Sequence, residues 1–150
     1  MKKILILICY FGQWPEWINL FIESCKFNPT VDWLIITDCA EPENKSGNIR
    51  YIRFDKLDNL DKLITSKLGV SINLSNVYKL CDLKPAYFAI FEDYADGYDY
   101  VGIGDIDVIY GNIRKFLTED ELKYPVLFFH RHRASPHFFL LKNQPENKIL

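Results

Sequence analysis

Apolar positions recur along this chain with two alternating rhythms, and the alternation predicts strands and helices in turn. Residues 3–10 form a nearly unbroken apolar run rich in β-branched side chains, the pattern of a strand covered on both faces. Pro15 suits the first turn of a helix. Trp17, Ile18, Phe21, Ile22 and Cys25 follow at helical spacing, which predicts one stripe packed on a sheet. Residues 32–37 give a second buried strand ending at Asp38, and a polar loop over 41–48 leads to a third strand at 49–54. Leu57, Leu60, Leu63, Ile64 and Leu68 predict a helix over 56–68, stopped by Gly69.

A turn-rich stretch at 71–76 precedes a helical segment over 77–94, which Pro85 must break because proline cannot donate to the helix ladder. After the Asp96-Gly97 turn, a fourth strand over 98–104 delivers Asp105-Ile106-Asp107 at its end. A helix over 113–122 and strands over 125–130 and 137–142 complete the pattern. Strands alternating with helices predict an α/β fold: a layered, mostly parallel sheet flanked by helices, within a single domain over 1–150. In such sheets ligands bind beyond the carboxyl ends of the strands, where Cys9–Gly12, Asp38 and Asp105–Asp107 all fall.

Composition narrows the class. Hydrophobic residues at 49% and aromatics at 15% exclude a disordered chain. Eighteen basic against twenty acidic side chains give a net charge of −2, so no nucleic-acid partner is expected. The densest cationic patch, His130-Arg131-His132-Arg133, is too short for a duplex footprint. Cys9, Cys25, Cys39 and Cys81 show no metal-finger or C-x-x-C spacing, which fits a reducing cytoplasm. The N-terminal apolar run imitates a signal peptide, but no small-residue cleavage site follows it and it is too short to span a bilayer. The expected location is the cytoplasm, with peripheral association at the inner face of the membrane.

The candidate chemistry lies in Asp105 and Asp107. In an extended segment, residues two apart face the same side, so both carboxylates can aim at one point. Two such charges repel, and a divalent cation relieves the repulsion. Hard oxygen ligands suit Mg²⁺ or Mn²⁺. A bare Asp-x-Asp is a weak signal, since two solvated aspartates in a turn would look the same. Its apolar flanks, Tyr100 to Gly104 and Val108 to Gly111, strengthen it, because carboxylates in apolar surroundings are costly unless paired or metal-bound.

The segment from Tyr98 through Asp105-Ile106-Asp107 to Phe116 resembles the D-x-D region of GT-A glycosyltransferases. It is most similar to family-8-like enzymes and to a bacterial group tied to capsule and lipopolysaccharide synthesis. Upstream, Tyr78-Lys79-Leu80-Cys81-Asp82-Leu83-Lys84-Pro85-Ala86-Tyr87 is similar to the segment those bacterial proteins carry before the motif. The resemblance implies sugar transfer from a nucleotide-diphosphate donor, UDP-sugar favoured, to a glycan or lipid-linked acceptor. It implies a Mn²⁺ or Mg²⁺ ion on Asp105 and Asp107, with Asp105 also reaching the ribose and Ile106 lining the donor. Cys9, Tyr10, Phe11 and Gly12 would line the base and ribose, and Asp38 would accept a hydrogen bond from either. Lys79 and Lys84 would neutralise phosphates, Asp82 would bind a ribose or sugar hydroxyl, and His137 would face the acceptor. No residue stands out as the general base. Enzymes of this kind run well past the D-x-D, so the chain is expected to be a minimal form or the N-terminal part of a longer enzyme. Two other classes compete. One is a non-catalytic nucleotide-sugar-binding or interaction module; the other is a haloacid-dehalogenase-like phosphohydrolase, whose nucleophile motif also follows an apolar strand.

Overall fold

The computed structural model describes residues 1–74, 76–130, 132 and 135–147. Its centre is strand β1 (Ile4–Tyr10), whose side chains alternate between two cores. Ile4, Ile6 and Ile8 pack with Phe21, Ile22 and Cys25 of helix α1 (Ile18–Lys26). Leu5 and Leu7 face the opposite layer, against Leu60 and Ile64 of helix α2 (Leu57–Leu68) and the segment around Tyr87 to Phe91. Burial on both faces explains why this strand reads as an unbroken apolar run rather than an alternating one. Each such aliphatic side chain contributes about 1.5–3 kcal/mol through burial.

Strands β2 (Val31–Thr37), β3 (Ile49–Arg53), β4 (Tyr100–Gly104), β5 (Val126–Phe128) and β6 (Phe138–Lys142) complete a six-stranded sheet of order β3-β2-β1-β4-β6-β5. The pairs β1–β2, β1–β4 and β2–β3 are parallel, whereas β4–β6 and β5–β6 are antiparallel. The sheet is therefore mixed, not mostly parallel as its helix–strand alternation suggests. The reason is local: the connection from Phe128 to Phe138 between β5 and β6 is shorter than the crossover of about a dozen residues that successive parallel strands need.

Helix α2 ends at Gly69 as its sequence predicts. Pro85 does interrupt the segment that follows. Short helices α3 (Lys79–Asp82) and α4 (Tyr87–Ile90) are joined by a 3₁₀ turn at Lys84–Ala86, and a second 3₁₀ turn, Glu92–Tyr94, follows α4. The helix expected over 113–122 is replaced by two 3₁₀ turns, Ile113–Lys115 and Glu121–Lys123. Asn112 caps the first turn by accepting from the Lys115 amide at 3.1 Å, and Ile113, Leu117 and Leu122 still bury against β1 and β2. Their apolar spacing serves a packed strap as well as it would serve a helix. Trp17, expected in the buried stripe of α1, instead caps the helix from outside and is exposed. Ser75 of the expected turn, and Arg131 and Arg133 of the cationic patch, lie outside the described residues. No helix among the described residues is long and apolar enough to cross a membrane.

Candidate functional site

β1 connects outward to β2 on one side and neighbours β4 on the other, so the order of strands reverses between β1 and β4. Beyond the carboxyl ends of strands at such a reversal the flanking loops part and leave a crevice. A cleft of about 720 Å³ occupies this position. Tyr10 and Phe11 line it from the tip of β1, Asp105, Ile106 and Asp107 from the tip of β4, and Asp82 and Lys84 from the broken helical segment.

Asp105 and Asp107 do not continue the strand; they sit in a turn just past Gly104. Ile106 between them is buried in the core below α1. That anchor, rather than strand alternation, leaves the two carboxylates on the solvent side. The Tyr110 hydroxyl braces the turn, accepting from the Asp105 amide and donating to the Asp105 carbonyl, each at 3.3 Å. Gly104 makes room for it, since a Cβ there would stand 2.5 Å from that hydroxyl. Burial raises the Tyr110 hydroxyl far above its ordinary pKa, so it remains a neutral donor.

Antiparallel pairing of Gly104 with Phe138 brings the residue before β6 to the same place. His137 Nδ1 thus lies 2.7 Å from Asp105 Oδ2, although its ring is 62% exposed. Ligand atoms of Asp105, Asp107 and His137 all fall within 4.8 Å of one another. The Lys84 ammonium, in a residue only 7% exposed, pairs with Asp105 Oδ1 and donates to the Pro136 carbonyl at 3.1 Å. Each Asp105 oxygen therefore has a cationic or imidazole neighbour, while Asp107 stands exposed.

Nine residues singled out in the sequence meet at this cleft: Cys9, Tyr10, Phe11, Asp82, Lys84, Asp105, Ile106, Asp107 and His137. Three do not line it. Gly12, at φ +118, takes a backbone shape that other residues rarely adopt, and its amide donates to Asp38 Oδ1 at 2.8 Å. Asp38 is thereby used to close the loop after β1. Lys79 is exposed and donates to the Asn73 carbonyl at 3.2 Å. Lys84 is no surface lysine, because its ammonium is held inside the protein. Burial pushes the Cys9 thiol up to about 12, which disfavours the thiolate at neutral pH. Trp17, Val77 and Tyr78 also line the cleft and are exposed. An aromatic or aliphatic residue next to a polar stretch carries no sequence signal that separates a cleft wall from a core position.

Fold and site together define an α/β protein with a carboxylate–imidazole cluster at the reversal point of a mixed six-stranded sheet. The chain belongs to a family of unknown function, DUF6625, whose profile matches residues 6–150. Comparison with curated proteins gives no match.

Proposed function

We propose that this chain is a nucleotide-sugar-binding domain of the GT-A type, acting in divalent-cation-dependent sugar transfer to a glycan or lipid-linked acceptor. The carrying observation is the convergence of Asp105, Asp107 and His137 within 4.8 Å in a cleft that the β1 tip also lines. Two carboxylate oxygens and one imidazole nitrogen fit a small divalent ion, and the imidazole favours Mn²⁺ over Mg²⁺. When bound, such an ion supplies Lewis-acid stabilisation of the negative charge that develops on a departing nucleotide diphosphate.

The chain's own residues would divide the remaining work. Lys84 stands beside Asp105 as an internal positive charge, able to shift toward donor phosphate once Asp105 has another partner. Tyr10 stacks on Trp14 with ring centroids 5.4 Å apart, which presents a rigid aromatic wall on the β1 side. Asp82, exposed on the facing wall, would accept from a ribose or sugar hydroxyl.

A thermal-shift series with UDP-, GDP- and CDP-sugars, with and without Mn²⁺, tests the assignment. A ligand that binds only the native state raises the melting temperature. At least one donor is expected to stabilise the protein only when Mn²⁺ is present, and Asp107→Ala should abolish the effect. A flat response to every nucleotide sugar would overturn it. One observation favours a second interpretation, a binding module without turnover: the Lys84–Asp105 pair already neutralises one carboxylate without any metal. Donor affinity unaccompanied by sugar release or transfer would select that alternative.

A further inference from the structure

The cleft does not stop at the carboxylates. Cys81, Asp82, Lys84 and Pro136 line it on one side and, on the other, line a second groove of about 480 Å³. The character of the surface changes across this shared wall. Pro85, Phe88, Phe128, Ser135, Phe139 and Leu141 form the rest of the groove. Its floor is a row of rings: Phe139 contacts Phe88 at a centroid distance of 5.6 Å and Phe128 at 5.5 Å. Phe88 and Phe139 are buried and fix the row, while Phe128 on the edge strand β5 is 46% exposed. A preformed apolar recess with charged groups at one end is the common form of a small-molecule subsite, and its volume lies within the usual range of about 300–1,000 Å³.

We propose that this groove holds the apolar part of an amphiphilic acceptor, whose hydroxyl-bearing head lies across the shared Lys84–Pro136 wall, beside the Asp105–Asp107–His137 cluster. The inference rests on the sugar-transfer function proposed above. Because Lys84 and Pro136 form the common wall, the apolar part must begin directly beside the head, with no long glycan between them. A glycan is also a poor occupant, since Asp82 and Lys84 are the only charged groups in the walls among the described residues and its many hydroxyls would lose their hydrogen bonds to water. The acceptor class is therefore a small polar head carrying an alkyl chain or an aromatic ring.

Binding of n-octyl β-D-glucoside, kept below its micelle-forming concentration, is compared with that of methyl β-D-glucoside by calorimetry. Neither metal nor nucleotide is present. The octyl compound should bind at least about tenfold more tightly, because methylene burial adds affinity that the methyl compound lacks. Phe128→Asp should remove that preference, and the control Leu20→Ser on the outer surface of α1 should keep it. Ser135→Trp, which narrows the groove from its rim, should also remove it and serves if Phe128→Asp fails to fold. A phenyl glucoside arm separates an aromatic source from a lipid one. Equal binding of octyl and methyl compounds overturns the proposal, as does a preference that survives both groove variants. A change of oligomeric state in Phe128→Asp without any octyl preference also overturns it, by showing a contact between copies of the chain. If the octyl preference holds while no nucleotide sugar binds, the amphiphile groove stands and the sugar-transfer function fails.

Discussion

Lys84 and Asp105, which the sequence places on different elements, form an ion pair at the mouth of the cleft, and the Lys84 ammonium also donates to the Pro136 carbonyl. Lys84 thus fills, from inside the protein, the electrostatic role that a bound cation would fill from outside. Asp105 and Asp107 can lie close together because one of them is already compensated.

In Lys84→Met the compensation is lost while much of the side-chain volume is kept. Stability without metal should fall by about 1–3 kcal/mol, the usual cost of stranding a part-buried polar partner. The stabilisation by Mn²⁺ should become larger than in the unaltered protein, because the ion no longer competes with an internal ammonium. Melting curves over a Mn²⁺ titration measure both effects. A smaller Mn²⁺ response in the variant would show that Lys84 does not compete for Asp105.

Gly104→Ala addresses the turn that carries the carboxylates. The new Cβ would meet the Tyr110 hydroxyl at 2.5 Å and Ile6 Cγ2 at 3.0 Å. Tyr110 must move, and its brace on the Asp105 backbone is lost with it. A loss of about 1–3 kcal/mol is expected from the overpacking alone. Mn²⁺ affinity should weaken as well, although residue 104 offers no ligand atom. Wild-type affinity in a folded Gly104→Ala protein would remove Tyr110 from the account of the site.

Asp99 gives a pH dependence remote from the cleft. The Lys3 amide donates to its carboxylate at 2.8 Å and the Lys2 ammonium at 3.1 Å. The amide bond first, and the ammonium second, hold the Asp99 carboxyl below its ordinary value. A lowered folded-state value means that the contribution is complete above the unfolded pKa of about 3.9 and fades as pH falls through the folded one. Asp99→Asn should be less stable at pH 7, by under about 1 kcal/mol at this solvent-screened position. The gap should close below about pH 4. Denaturant titrations from pH 7 to pH 2.5 check this, and a constant gap would show that the ionised carboxylate plays no part.

Much of this was legible in the chain before folding. The apolar runs of β1, β2 and β4, the helices α1 and α2 and the stop at Gly69 follow from local periodicity and backbone preference, which depend on neighbours in sequence. So does the delivery of Asp105 and Asp107 to a strand end. Contacts between distant segments had no such signature. The antiparallel return of β6 depends on which strand edge is left unpaired, and it alone carries His137 to Asp105. The burial of Lys84 depends on Pro136, 52 positions further on, offering a carbonyl to a lysine otherwise indistinguishable from Lys79. Periodicity also could not separate the 113–122 strap from a helix, because the strap buries Ile113, Leu117 and Leu122 at a spacing close to the helical repeat. The sequence by itself determined the strands, the helices and the acidic pair. Tertiary structure alone decided which side chains surround that pair, since contact between residues far apart is fixed by sheet order and register and not by any local preference.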